Sequence, residues 1–254
     1  MTTTHFFTDT AVLTGRSLRH ITRSLDTILT TVITPIALML LFVFVLGGAI
    51  DTGPESSIDY MAPGFLLITV ASGVSYTSYR LFMDLKGGIF ERFQSMPIAR
   101  SGFLWSHVLT SLVANLVSVV VVMVVAVLFG FRSGAGIGAW LAVAGLLVLF
   151  ILALTWLAVI AGLSAKSVDG AGAFAYPLIF LPFISSAFVP TATMPGPVRW
   201  FAENQPVTSI VNSIRSLFAG QTVGTDLWIA LAWCVGIIVV AFAGAMVVYR
   251  RRLR

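Results

Sequence analysis

The feature that most constrains this chain is a set of six long stretches that contain no Asp, Glu, Lys or Arg. A charged side chain at the centre of a bilayer costs about 2.5–3.5 kcal/mol even on lenient insertion scales. Each stretch can supply the roughly 20 helical residues that cross about 30 Å of hydrocarbon. The stretches are Thr27 to Ile50, Tyr60 to Tyr79, Ser101 to Phe131, Ser133 to Ala165, Gly170 to Val198 and Leu227 to Tyr249. They predict an all-α polytopic membrane protein with six transmembrane helices in a single domain, residues 1–254.

The composition excludes a soluble domain. Of the 254 residues, 58% are hydrophobic and 10% are charged, whereas an ordinary globular domain is about 25% charged. The one cysteine, Cys234, lies inside an apolar stretch, so no disulfide within the chain contributes to stability. The net charge of +5 comes from basic residues between and outside the apolar stretches. We interpret these residues as topology signals and expect no nucleic-acid partner.

The basic residues also predict the orientation. Twelve of the 15 lie on the side that holds both termini, and the other side keeps only Arg132, Arg199 and Arg215. The first loop on that other side carries Asp51, Glu55 and Asp59 without any Lys or Arg. The positive-inside rule therefore predicts a multi-pass protein of the cytoplasmic membrane with both termini in the cytoplasm.

The leader over residues 9–26 has the pattern of an amphipathic helix. Apolar residues recur at spacings of three and four from Leu18 to Ile28, a helical period. The basic residues of the other face are Arg16, Arg19 and Arg23. The pattern is typical of a helix on the inner leaflet surface in contact with membrane lipid. A frayed basic tail is the alternative.

The longest polar cytoplasmic segment covers residues 80–100, and it mixes both signs of charge with large apolar side chains. Such residues can anchor in a partner's groove while the charges set the register. Gly87 and Gly88 break a helix and Pro97 stops or starts one, so a short helix is expected around Ile89 to Ser95. The alternative is a solvated loop whose aromatic residues pack against the protein's own helices.

The chain changes character between Gly170 and Phe218, where six prolines occur. Proline removes a backbone donor and kinks or ends a helix, and unpaired backbone cannot face lipid. We expect a re-entrant or surface helical hairpin over residues 190–218 on the outer side. Arg215 near the outer interface is interpreted as a snorkelling anchor or as a cap on hairpin carbonyls, in preference to a substrate contact.

No residues predict catalysis or metal binding. Lys166 and Ser167 match the last two residues of a phosphate-binding loop. However, Ile160 and Ala165 occupy the two positions where that loop needs glycine. We interpret His107 as a packed or interfacial histidine, since it lacks companions for a metal site. Each span can also be drawn without the intramembrane acid or base that ion-coupled pumps use. The energy source must then lie outside this polypeptide, and we expect no cofactor in the chain itself.

Two segments resemble the ABC type-2 permease family. The first, GGIFERFQSMPIARSGFLW, carries a Gly, an Arg, a Pro and a second Arg in the family's order: Gly88, Arg92, Pro97 and Arg100. The second resembles the family's closing signature through Pro190, Met194, Pro195, Trp200, Pro206 and Arg215. Gln205 stands before Pro206, where the family more often has Asn. Within the family, the chain is most similar to daunorubicin-resistance drug exporter permeases.

The resemblance implies the permease subunit of an ATP-driven exporter, with two permeases and two copies of a separate ABC ATPase subunit that bind ATP and Mg. The second permease is an identical or homologous copy. The exported compound is hydrophobic or amphipathic: a drug, a lipid or a lipid-linked glycan. The residues implied in coupling to the ATPase are Lys86, Gly88, Glu91, Arg92, Phe93, Met96, Pro97 and Arg100. The outer hairpin would cap the exit.

Two other functions stay open on the residues alone. A stand-alone secondary transporter or channel would work without ATP, and the lack of intramembrane acids counts against it. An assembly scaffold without transport would show no substrate-dependent change in ATPase rate.

Overall fold

The computed structural model of the chain describes residues 25–47, 56–87 and 100–252, with the side chains of residues 32–47, 56–87 and 103–251. The regular structure in these ranges is helical. In chain order the helices are α1 (Leu25–Leu40), α2 (Ser57–Lys86), α3 (Arg100–Leu128), α4 (Ile137–Ser164), α5 (Val168–Ala173), α6 (Ala175–Phe180), α7 (Gly196–Asn204), α8 (Pro206–Phe218) and α9 (Thr225–Arg252).

Four of these helices, α2, α3, α4 and α9, are long and apolar enough to cross a membrane. They coincide with the second, third, fourth and sixth charge-free stretches, which confirms the prediction of an all-α polytopic membrane protein. The first stretch forms α1, which contains Pro35 and continues into a short π-helix over Leu41–Val45. That π-helix closes with a bond from the Leu46 amide to the Leu41 carbonyl.

The fifth stretch does not form one helix of spanning length. It is divided into α5, α6 and two short 3₁₀-helices over Leu181–Ile184 and Thr191–Thr193. Pro177, Pro182 and Pro190 fall in or beside these pieces, and each removes a helical donor. The last residues assigned to the stretch, Gly196–Val198, open α7 instead.

Helix α2 lies at the centre of the bundle. It packs against α1, α3, α4, α5, α6 and α8, and 78% of its apolar window is buried, against 17% for α9. Ser56 caps its start by accepting the Asp59 amide hydrogen. Small residues allow the close packing, since a Cβ on Gly162 of α4 would come within 2.8 Å of the Ser78 carbonyl oxygen. The apolar faces that α3 and α9 leave exposed suit contact with lipid.

Helices α2, α4 and α9 run in the same direction and α3 runs in the opposite direction, which gives the bundle two distinct ends. At one end, which we call the hairpin end, the Gly134 amide donates to the Phe218 carbonyl, so the α3–α4 loop contacts the end of α8. The Arg132 amide donates to Asp59 Oδ1 at the start of α2. At the opposite end, which we call the Lys86 end, the termini of α2, α3, α4 and α9 share one apolar cluster. These two ends hold the candidate functional residues.

Candidate functional site at the two ends of the bundle

Helices α7 and α8 form two arms joined at Gln205, whose backbone is extended. Pro206 begins α8, where its missing N–H is not needed. The Gln205 side-chain amide donates to the carbonyls of Ile184 at 2.6 Å and Leu181 at 3.3 Å. The Gln205 side chain therefore ties the turn between α7 and α8 to the Leu181–Ile184 segment of the broken fifth stretch.

Arg215 joins α8 to two other segments at the hairpin end. Its Nη2 donates to the Ser186 carbonyl at 2.8 Å and to the Tyr60 carbonyl at 3.0 Å. Nε also donates to the Tyr60 carbonyl, at 3.2 Å. The guanidinium lies 3.7 Å from the centroid of the Tyr60 ring, a cation–π distance. This geometry caps carbonyls of α2 and of the broken fifth stretch.

The other predicted hairpin residues occupy boundaries or the surface. Pro190 precedes the Thr191–Thr193 turn, Met194 follows it, and Pro195 precedes α7. Trp200 lies on α7 with 69% of its surface exposed. An exposed tryptophan on a short helix is suited to a membrane interface, where its ring has one apolar and one polar side.

At the Lys86 end, a side-chain pair connects α2 with α3. His107 Nε2 lies 3.2 Å from Asp84 Oδ2, and the two side chains are 5% and 26% exposed. The His107 ring packs edge-on against Phe103, with centroids 4.9 Å apart. The pair sits beside the apolar cluster of this end, whose buried members are Leu81, Phe103, Leu104, Val108, Trp156, Val159, Leu163, Ala241, Ala245 and Tyr249.

The predicted coupling segment begins inside a helix. Residues 80–86 continue α2, which ends where the Gly87 amide donates to the Met83 carbonyl at 2.8 Å. Lys86 is exposed and Phe82 is buried, so Phe82 belongs to the core. Arg100 is the first residue of α3. The predicted residues that lie outside the described ranges are Gly88, Glu91, Arg92, Phe93, Met96, Pro97, Arg16, Arg19 and Arg23.

A buried polar seam links α2, α3 and α4 between the two ends. Thr77 Oγ1 donates to Ser111 Oγ at 2.7 Å, and Ser111 Oγ lies 3.2 Å from Thr155 Oγ1. Asn115 Nδ2 donates to the Ser111 carbonyl at 2.9 Å. Hydroxyl and amide side chains bond across helices in this way where lipid offers no alternative partner.

The seam and the Asp84–His107 pair were not predicted from the sequence. Ser111, Asn115 and Ser118 follow one another at spacings of four and three within a valine-rich stretch, a helical polar stripe that signals a buried face. Asp84 carries no comparable local signal. Its partner is 23 positions away, and only the packing of α2 on α3 brings the two together.

Comparison with known proteins agrees with this architecture. The profile of the ABC-2 type transporter family matches residues 8–219. The daunorubicin resistance ABC transporter permease protein DrrB1 of Streptomyces coeruleorubidus is 26% identical over 229 residues, covering 87% of this chain and 78% of that protein. The Probable doxorubicin resistance ABC transporter permease protein DrrC of Mycobacterium tuberculosis is also 26% identical, over 97% of this chain and 90% of its own length. The chain belongs to the ABC-2 type transporter family, as a membrane-embedded permease subunit.

Proposed function

We propose that this chain is the permease subunit of an exporter that moves a hydrophobic or amphipathic compound outward across the cytoplasmic membrane, driven by a separate ABC ATPase. The observation that carries the proposal is the family match across residues 8–219. The described parts of the four long helices support it, since their charged residues lie within about two turns of a helix end. Membrane interiors of this kind lack the relay groups of ion-driven pumps.

The energy then enters through partner subunits. Two copies of an ABC ATPase bind ATP and Mg and act on a pair of permeases, either two copies of this chain or this chain with a homologue. Ser167 supports a structural role for the Lys166-Ser167 pair, because its Oγ accepts the Gly170 amide hydrogen and caps α5. We therefore assign no nucleotide-binding role to this chain.

We place the Lys86 end in the cytoplasm and the hairpin end outside. Basic residues at the Lys86 end include Arg80, Lys86, Lys166 and the Arg250–Arg252 run, and this excess suits the cytoplasmic face. Six membrane passages follow if α1 and the broken fifth stretch each cross once. Residues 9–26 then lie on the inner leaflet as an interfacial helix.

The segment over residues 80–100 is proposed as the site of coupling to the ATPase. Its proposed contact residues are Lys86, Gly88, Glu91, Arg92, Phe93, Met96, Pro97 and Arg100. Closure of the ATPase pair on ATP would move two such segments together and change the interface between the permeases, a two-state change that nucleotide biases. The hairpin of α7 and α8, fixed by Arg215, would cap the outer exit of the substrate path.

The substrate class follows from the relatives and from the chemistry of the helices. The two similar permeases are named for resistance to daunorubicin and doxorubicin, which suggests an amphipathic aromatic drug. Aromatic and aliphatic side chains bind such molecules with little discrimination, so a lipid or lipid-linked glycan fits the same proposal.

The decisive experiment reconstitutes the chain in liposomes with the ABC ATPase encoded beside it and follows doxorubicin movement. We expect efflux that requires ATP and ends when the ATPase is omitted. Substituting Glu91, Arg92 and Phe93 together should abolish complex formation or drug-stimulated ATP hydrolysis.

The matched control replaces three exposed residues at the opposite end, Arg132, Gln221 and Thr222, and should leave both readouts unchanged. Uphill movement by the isolated subunit, driven by an ion gradient, would instead identify a secondary transporter. Complex formation without any drug-dependent change in ATPase rate would identify a scaffold.

A further inference from the structure

The Asp84–His107 pair closes the chain segment that holds the proposed coupling residues. Asp84 lies three positions before Gly87, where α2 ends, and His107 lies in the second turn of α3. The residues between the two partners therefore include all of the chain between α2 and α3. A force applied to that segment reaches the bundle through the two helix ends that this pair joins.

The Asp84–His107 pair is built differently from the ion pair between Arg199 and Glu203. Arg199 and Glu203 lie one turn apart on α7 and are 50% and 42% exposed, a setting worth little energy. His107 is 5% exposed and belongs to a different helix from Asp84. Separating the helices would leave the imidazole buried without this carboxylate, and an unsatisfied buried polar group is costly.

Further contacts prevent the pair from rearranging locally. Phe103, one turn before His107, packs edge-on against the imidazole and is itself buried. On α2, the next polar contact with α3 is the Thr77–Ser111 hydrogen bond, two turns from Asp84. The α2–α3 interface thus includes a polar contact at the Lys86 end and a polar contact at the seam.

We propose that Asp84 and His107 are positioning residues that make α2 and α3 move as one unit when the ATPase displaces the coupling segment. Without the pair, part of the displacement spreads the two helix ends apart and does not reach the hairpin end. This inference rests on the proposed function and assigns a specific role to two residues outside the family signature.

The test uses the permease–ATPase complex in liposomes, with doxorubicin efflux and phosphate release measured in the same sample. We expect His107→Ala to keep the complex assembled and hydrolysing ATP while efflux per ATP falls about fivefold or more, the scale of a lost coupling interaction. Efflux per ATP should fall less in His107→Gln, which keeps an N–H near the Nε2 position. The double variant that exchanges the two residues, Asp84→His with His107→Asp, should recover most of the native efflux per ATP.

A second measurement does not depend on the drug. Spin labels at Met83 and Val113, two exposed positions on α2 and α3, are introduced with Cys234→Ala. In the native pair we expect one narrow distance that ATP does not change. In His107→Ala we expect a broader distribution of distances between the two labels, and we expect ATP to change its mean.

The control is Thr110→Val, a buried position one turn along α3 whose hydroxyl bonds the Ser106 carbonyl of its own helix. It should behave like the native protein in both measurements. His107→Ala with a native efflux ratio and a narrow distance would overturn the inference. If His107→Ala does not yield protein, His107→Gln with no reduction would overturn it equally. Absence of ATP-dependent efflux in the native complex would instead contradict the proposed function.

Discussion

Arg215 supplies donors to carbonyls that the helices do not fully use. Ser186 lies in the broken fifth stretch, in a turn outside any helix, so its carbonyl has no helical donor. Tyr60 lies in the first turn of α2, and its carbonyl oxygen has a second lone pair that can accept from Arg215. A single guanidinium with several N–H groups serves both carbonyls at once. The same group also packs on the Tyr60 ring, so its removal affects three segments.

Arg215→Ala should lower the melting temperature of the detergent-purified complex by about 5 °C, because several charge-assisted bonds are lost together. Arg215→Lys should recover only part of this, since an ammonium cannot match the planar fork. Arg199→Ala is the matched control and should shift the transition by about 1 °C or less. Tryptophan fluorescence measures both melting temperatures. Equal decreases for Arg215→Ala and Arg199→Ala would contradict a capping role.

Gly162 is a position where one methyl group should be felt. An added Cβ would lie 2.8 Å from the Ser78 carbonyl oxygen and 3.2 Å from two Leu81 atoms, and backbone cannot move aside easily. Gly162→Ala should therefore destabilise the protein by about 1–3 kcal/mol, the usual cost of overpacking.

The control on the same helix is Gly145→Ala, where a Cβ would have no neighbour within 4 Å. Reversible unfolding in mixed micelles gives both values. A Gly162→Ala variant as stable as Gly145→Ala would show that α2 and α4 are packed more loosely than described.

Sequence reasoning could single out Arg215 but could not name its partners. A lone arginine in an apolar helical stripe is conspicuous because its charge must be satisfied. Its acceptors, however, are separated from it by 155 and 29 positions along the chain. Contacts at such separations depend on how the helices pack, which local patterns do not determine.

Among the helices, the seam between α2, α3 and α4 is centred on Ser111. Its hydroxyl accepts from Thr77, lies within bonding distance of Thr155 and is 3.2 Å from Asn115 Nδ2. Removing it therefore affects three neighbours. Removing Thr155 affects one.

Ser111→Ala should cost about 1–2 kcal/mol and Thr155→Val about 0.6 kcal/mol, in line with hydrogen bonds between membrane helices. Thr69→Val is the control, because the buried Thr69 hydroxyl bonds the Phe65 carbonyl of its own helix. A double-mutant cycle on Thr77 and Ser111 should give a coupling energy. Additive effects within error would argue that the seam's hydrogen bonds do not hold the helices together.

The long helices were predictable because a charge-free stretch has one stable solution in lipid, a helix that satisfies its own backbone. The fifth stretch shows where that logic ends. A stretch defined only by the absence of charge admits Pro177 and Pro182, although each removes a backbone donor. The prolines do predict a break, but the positions of α5, α6 and the following turns depend on how the pieces pack against α2.

For the whole molecule, sidedness is the strongest untested expectation. Single cysteines on a Cys234→Ala background should react with a membrane-impermeant maleimide from the cytoplasmic side at Lys86 and Lys166. Those at Arg132 and Gln221 should react from the outside. Inverted and right-side-out vesicles are compared. Labelling of the cysteines at positions 132 and 166 from the same side of the membrane would show that α4, which lies between them, does not cross it.

The arrangement of the helices could not be inferred from their hydropathy. Helix α2 has the lowest mean hydropathy of the four long helices, 1.3, yet its window is the most buried, whereas α9 at 2.6 is the least buried. In lipid the most apolar helix gains nothing by leaving the surface, while helices with small and hydroxyl residues gain contacts and hydrogen bonds by packing together. Mean hydropathy therefore does not rank these helices by burial, since α4 at 2.8 is 61% buried.

The length of α2 has a mechanical consequence. Its 30 residues span about 45 Å, as much as the hydrocarbon and both headgroup layers together, about 40–45 Å. One continuous rod therefore links the aqueous phases on the two sides. A shift of a few ångströms imposed at its last turn would be carried along this one helix to its first turn, where Tyr60 contacts the Arg215 guanidinium.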